Sequence, residues 1–190
     1  MSDDHDVSAA SRQDRRIAKT QASIREAFIK LFFERGFDDM GVNDIVEAAD
    51  IARSTFYQHF TCKEQVLCAT MQPMLDDLAE AVDSIEFPVG LSRVTGHFWS
   101  NRRLAHAVFT GSARIAITRR LADLIEPRLG TPRGPQPPKR LIAMHIASMQ
   151  LGLMEEWLSG RYSCSVESVA DALHRSTRAT AIALTIDGAQ

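Results

Sequence analysis

The chain has 190 residues, 45% of them apolar and 24% charged, with only 10 glycines. This composition fits a helical globular protein and argues against long disordered regions. The formal net charge of -2 gives no pointer to nucleic acid, so only the placement of charges can supply one. The three cysteines, Cys62, Cys68 and Cys164, form no CxxC pair and no Cys/His set, so neither a zinc site nor a disulfide framework is indicated and no cofactor is expected.

The polar, acidic opening MSDDHDVSAASRQ lacks the apolar core of a secretory signal, and no segment has the run of about eighteen apolar residues that a membrane span needs. A cytoplasmic location is the expectation. Residues 1–14 read as a flexible tail. From Arg12 to Arg35, seven basic residues (Arg12, Arg15, Arg16, Lys19, Arg25, Lys30, Arg35) face three acids (Asp14, Glu26, Glu34). That excess fits either a solvated helix face or an anionic partner.

With Thr20 as its N-cap, a first helix carries Ile24, Ala27, Phe28, Leu31 and Phe32 at three- and four-residue steps until Gly36. A second short helix is predicted over 42–49, with Gly41 as a weak N-cap and Ile45, Val46 and Ala49 facing inward. Asp50 tolerates the left-handed backbone region, so the chain can turn tightly at Asp50 and Ile51 without glycine. A third helix follows over 53–60. There Phe56 and Phe60 share one face, while Arg53, Ser54, Tyr57 and Gln58 project elsewhere.

A fourth helix opens at Lys63 and Glu64 and runs past Pro73 toward Val82. A break at Phe87-Pro88-Val89-Gly90 precedes two or three helices over 91–129, interrupted near Thr110-Gly111. The segment GTPRGPQPP, with four prolines, should be an exposed loop. Two long helices, over 139–159 and 165–185, close the chain.

Short helices, a tight turn and a polar-faced third helix meet the mechanical needs of a helix-turn-helix that reads DNA. Arg53 can donate to a guanine edge or a phosphate, Gln58 can pair with a base edge, and Ala52 or the Thr55 methyl can pack on a thymine methyl. Thr55, Tyr57 and Lys63 suit phosphates. Any exposed helix can carry such residues, so the spacing alone does not decide between DNA and solvent.

The run GFDDMGVNDIVEAADIARSTFYQHFTCKEQVL resembles the DNA-binding domain of TetR-type (TetR/AcrR-like) transcriptional regulators. The resemblance rests on Gly36-Phe37, Val42-Asn43-Asp44-Ile45, Ala48-Ala49, Thr55-Phe56-Tyr57-Gln58-His59-Phe60 and Lys63-Glu64, in order and at the right spacing over about fifty residues. It implies an all-α protein. An N-terminal helix-turn-helix domain over 15–65 would be joined to a larger helical effector-binding and dimerisation domain over 66–190. It also implies phosphate contacts from Thr20, Thr55, Tyr57 and Lys63 and groove contacts around Ala52, Arg53 and Ser54. The DNA-facing set is therefore Thr20, Asn43, Ala52, Arg53, Ser54, Thr55, Tyr57, Gln58, His59 and Lys63. His59 keeps two readings, as a packed histidine or as a DNA contact. The chain departs from the family pattern at Gly41, where Thr is common, at Asp50, where Gly is usual, and at Ala52, where Ser or Thr is frequent.

The helix over 139–159 is apolar nearly all round and must be covered on more than one side. Its small residues Ala143, Ala147, Ser148 and Gly152, with Val166, Val169, Ala170, Leu173, Thr177, Ala181 and Leu184 of the last helix, are the dimerisation candidates. The competing reading is that they complete a monomer core. The resemblance implies a four-helix bundle across a two-fold axis, hence a homodimer. Phe98, Trp99, His106, Phe109, Met144, His145, Met149 and Trp157 are the candidate lining of a pocket for an unknown small-molecule effector, against the opposing view that they are core.

The resulting reading is a dimeric, sequence-specific DNA-binding regulator, a repressor released from its operator by an effector. An enzyme is the main rival class, but no Gly-rich phosphate loop, GxSxG or HExxH occurs, and the six histidines form no catalytic set. A helical adaptor with a vestigial reader is a second rival, and an activator of transcription a third.

Overall fold

The computed structural model describes the backbone of residues 3–134 and 137–186, and the side chains of those residues apart from 3–12, 103–104 and 186. Met1 and Ser2 of the expected tail, Pro135 and Gln136 of the expected loop, and the side chain of Arg12 lie outside the described residues. The described residues form α1 (Asp3–Arg35), α2 (Val42–Ala48), α3 (Arg53–His59), α4 (Lys63–Glu80), α5 (Val89–Ser100), α6 (Arg102–Val108), α7 (Gly111–Ile125), α8 (Lys139–Leu158) and α9 (Val166–Leu184). The all-α class is as expected, with one small addition. Thr131–Pro132 (β1) pairs antiparallel with Thr185–Ile186 (β2), so the start of the proline-rich segment is tied to the end of α9 rather than free. The chain divides into two compact units, Met1–Leu67 and Cys68–Gln190.

Two expectations for α1 need correction. The helix starts at Asp3, inside the stretch read as a tail, and Thr20 lies within it rather than at its N-cap. Residues 3–14 are polar but contain neither glycine nor proline, so nothing in them breaks a helix. In mid-helix the Thr20 hydroxyl donates back to the Arg16 carbonyl at 3.0 Å. Gly36, at φ +83°, ends the helix in the left-handed region, and its N–H donates to the Phe32 carbonyl at 3.0 Å.

The first unit is built around aromatic packing. Phe28, Phe32 and Phe37 lie with ring centres 6.0 to 6.4 Å apart, and Ile24, Leu31, Met40 and Ile45 are buried with them. Each such side chain contributes about 1.5–3 kcal/mol by leaving water. Gly41 is the N-cap of α2, and the Asp44 carboxylate accepts its N–H at 2.7 Å. That bond is the N3-to-N-cap half of a capping box, and glycine, with no side chain, cannot supply the reciprocal half that a threonine hydroxyl would give. The turn after α2 places Asp50 at φ +51°, the one non-glycine residue with positive φ among those described. α3 then starts after Ala52 and ends at His59, one residue earlier than expected, with Phe56 buried on its inner face and Phe60 buried at its extended C-cap.

In the second unit α8 packs against α7 and α9, α5 packs against α9, and α6 lies against α7 and α8. α4 runs as one helix through Pro73. α5 starts at Val89, so Gly90 lies inside its first turn instead of in a break. A Cβ on Gly90 would stand 2.5 Å from an Asp77 carboxylate oxygen, and that buried carboxylate takes both Nε and Nη2 of Arg93 at 3.2 and 2.6 Å. Here glycine is required by the close approach of Asp77 to α5. Gln150, fully buried on α8, donates to the Leu78 carbonyl and the Thr177 hydroxyl, both at 2.9 Å, and so joins α4, α8 and α9 by one amide. No helix among the described residues is long and apolar enough to cross a membrane.

Candidate nucleic-acid interface

The two faces of α3 do different work. Phe56 is 0% exposed and holds the helix down, while Ala52, Arg53, Ser54, Tyr57 and Gln58 are exposed. The period of the helix makes this division unavoidable once residues 56 and 60 are buried. Arg53 and Tyr57, one turn apart, are associated on the outer face: Arg53 Nη2 donates to the Tyr57 hydroxyl at 3.4 Å, and its guanidinium carbon lies 5.6 Å from the ring centre. Two long side chains are thereby held side by side, with part of their rotamer freedom already given up.

A cleft of about 560 Å³ runs between α1 and α3, lined by Gln13, Arg16, Ile17, Thr20 and Gln21 from one side and Thr55, Gln58 and His59 from the other. Four of the residues named from sequence, Thr20, Thr55, Gln58 and His59, thus meet in one place. Asn43 is exposed on α2 and does not line this cleft. Arg16 does line it and was not among the site residues named from sequence. Its signal was present, since it lies one turn before Thr20 on the same helix face. Arg15, Arg16 and Lys19 are all exposed, so this end of the unit presents cations beside the polar cleft.

Lys63 has work inside the unit. Its Nζ donates to the carbonyl oxygens of Phe37 at 2.6 Å and Met40 at 2.8 Å, which ties the α1–α2 loop to the start of α4. At most one of its three N–H donors remains for a phosphate.

The residues named for the second unit fall into distinct settings. Phe98 and Phe109 are core, stacked edge-on at 5.1 Å. Trp99 and Trp157 stack face to face at 4.7 Å, and the buried Trp157 donates its Nε1–H to the Cys164 carbonyl at 3.0 Å. His106 lines a separate cleft with Arg102 and Arg161. On α8, Met144 and Met149 are half-buried and His145 is exposed. Of the dimerisation candidates, Ala143, Ala147, Val169, Ala170, Leu173, Thr177 and Ala181 are buried in the protomer itself. These seven side chains pack within the protomer's own core. Ser148 is exposed, and Gly152, Val166 and Leu184 are half-buried.

Two short helices joined by a tight turn, the second anchored by aromatics and polar outward, define a helix-turn-helix. Residues 24–70 match the family of bacterial regulatory proteins of tetR type. The chain is 33% identical over 81 residues to a protein of Mycobacterium tuberculosis named as the mycofactocin biosynthesis transcriptional regulator MftR, covering 43% of this chain and 41% of that one. It is 34% identical over 55 residues to the transcriptional repressor DhaR of a Mycobacterium species, covering 29% of this chain and 28% of that one. The matched stretches therefore span less than half the length of either relative. Over the whole fold, the chain is similar to a TetR transcriptional regulator from Streptococcus agalactiae, with a TM-score of 0.56 and 23% identity, covering 89% of this chain and 99% of that one. These findings place residues 24–70 in the tetR family of bacterial regulatory proteins, and the whole-chain likeness is one of fold.

Proposed function

We propose that the protein is a dimeric, sequence-specific DNA-binding regulator, a repressor that a small-molecule effector releases from its operator. The observation that carries the DNA reading is the outer face of α3. Arg53, Ser54, Tyr57 and Gln58 stand exposed on a helix whose inner side is fixed by Phe56 and Phe60, which is the form a major-groove reader needs. Thr20, Thr55 and Arg16 flank it for phosphates, and Arg53 and Gln58 are the base-reading residues. The repressor sense draws on the name of the DhaR relative.

Dimerisation falls to the outward sides of α8 and α9, since their inner sides are consumed by the protomer core. On α8 these carry Leu141, 58% exposed, with Ser148 and Gly152, and on α9 Ala172, Ala179, Ala183 and Ile182, the last 44% exposed. Small residues at these positions permit close helix approach, and a two-fold pair of readers matches half-sites one helical turn or more apart. α4 begins in the first unit and continues in the second, so a ligand that favours one position of this helix shifts the reader population.

The test is the salt dependence of binding to duplex DNA. For a protein neutralising Z phosphates, log K falls with log salt at a slope of about -0.9Z. Steep dependence that flattens by roughly one unit in Arg16→Gln supports the reading. A flat response, or no binding to any duplex, contradicts it.

A further inference from the structure

A second cleft, of about 540 Å³, opens within the second unit between α6 and the turn that follows α8. It is lined by Arg102, His106, Leu158, Ser159, Gly160 and Arg161. Two guanidiniums and an imidazole thus border one opening in a chain whose formal net charge is -2, so this convergence is not the by-product of a generally basic surface. Arg161 is partly neutralised: its Nη2 lies 3.1 Å from Glu156, and its Nε donates to the Ser159 hydroxyl at 3.2 Å. Arg102 makes no ion pair among the described residues. Its guanidinium instead lies over Trp99, 5.0 Å from the ring centre, which fixes the plane of the fork while leaving N–H groups at its edge to donate.

With Arg161 paired to Glu156, the unpaired cation at the cleft among the described residues is Arg102, and the planar fork of arginine matches the paired oxygens of a carboxylate or phosphate. The volume is that of a small-molecule site, and Leu158 supplies an apolar wall for a ligand body. We propose that this cleft binds a small organic oxyanion, held between Arg102 and Arg161 with His106 as a third hydrogen-bonding group. The proposal deepens the effector reading and rests on it only for the consequence that binding alters DNA affinity. Occupancy itself is measured without DNA.

The fold provides its own reporter. Trp99 and Trp157 are the chain's only tryptophans, stacked with ring centres 4.7 Å apart and planes at 16°, and Arg102 covers one of them. An oxyanion that draws Arg102 toward itself changes tryptophan emission. The experiment titrates the full chain with benzoate, phenyl phosphate and the neutral benzamide, followed by emission and independently by calorimetry, because Arg102→Gln alters the starting emission by itself. The expected result is saturable binding of at least one of the two anions, none of benzamide, and a loss of about tenfold or more in each of Arg102→Gln and Arg161→Gln. Lys30→Gln, an exposed charge in the other unit, leaves binding unchanged. No saturable heat or emission change with either anion, equal binding of benzamide, or anion binding indifferent to both arginine variants would overturn the proposal. Repeating the titration with DNA present separates the two readings: anion binding that leaves DNA affinity untouched keeps the site and removes its effector role.

Discussion

Lys63 donates to the Phe37 carbonyl oxygen at 2.6 Å while its ammonium lies 4.5 Å from the centre of the ring of that same residue. With the second bond to the Met40 carbonyl at 2.8 Å, the lysine clamps the α1–α2 loop before it can serve any phosphate. Removing it leaves two carbonyls without their donor. Lys63→Ala is therefore expected to destabilise the first unit by about 1–3 kcal/mol, and amide exchange over residues 37–41 accelerates with no DNA present. Unchanged protection there, with weaker DNA binding alone, would assign Lys63 to phosphate after all.

Asp50 carries the turn between α2 and α3 at φ +51°. Left-handed backbone costs an ordinary side chain about 1–2 kcal/mol, a strain that Asp bears better than Ala and that Gly does not feel. Asp50→Gly should hold or raise stability by up to about 1 kcal/mol, and Asp50→Ala should lower it by about 1 kcal/mol. Thermal unfolding of the pair measures the difference, and an alanine variant as stable as the glycine one would contradict the turn geometry.

At Gly90 the expectation is non-additivity. A Cβ there meets Asp77 at 2.5 and 2.8 Å, and the carboxylate cannot swing away without leaving Arg93. Gly90→Ala should cost about 1–3 kcal/mol in the wild-type background and less on top of Asp77→Ala, where the two carboxyl atoms at 2.5 and 2.8 Å are gone and only the Cβ at 3.1 Å remains. Additive losses would mean that the two residues do not collide.

Glu167 supplies a pH dependence. The hydrogen bond from its own backbone N–H, and then that from the Ser165 side chain, hold its carboxyl below the usual carboxylate range. The folded-state pKa is thus below the unfolded one, so the stabilisation is present above the unfolded pKa and is lost as pH falls through the folded value. Protection of the first turn of α9 should fade over that acidic window in the wild type and not in Glu167→Gln, which amide exchange resolves. A fade of equal size in the glutamine variant would point to another group.

The parts of the molecule that a local pattern dictates could be read from its sequence. The Phe28/Phe32 and Phe56/Phe60 spacings fix which sides of α1 and α3 are buried, and the turn at Asp50 follows from the tolerance of one side chain. What stayed hidden depends on the rest of the structure. Thr20 has the chemistry of an N-cap, and only the absence of a helix breaker upstream makes it a mid-helix residue. α8 is apolar enough to suggest two covered faces, yet Ala143 and Ala147 spend theirs on the protomer's own core, and burial on one side of a helix cannot be assigned from composition. Arg102 and Arg161 lie too far apart in sequence for any spacing rule to join them.

The most direct test of the central claim is selection of bound duplexes from a random-sequence DNA library with the full chain, run in parallel with Arg53→Ala. DNA reading by the outer face of α3 in a two-fold dimer predicts an enriched motif made of two inverted half-sites, their centres one helical turn or more apart, with relaxed preference within each half-site in the variant. Recovered DNA with no enriched motif, or a motif identical in the two proteins, would contradict it.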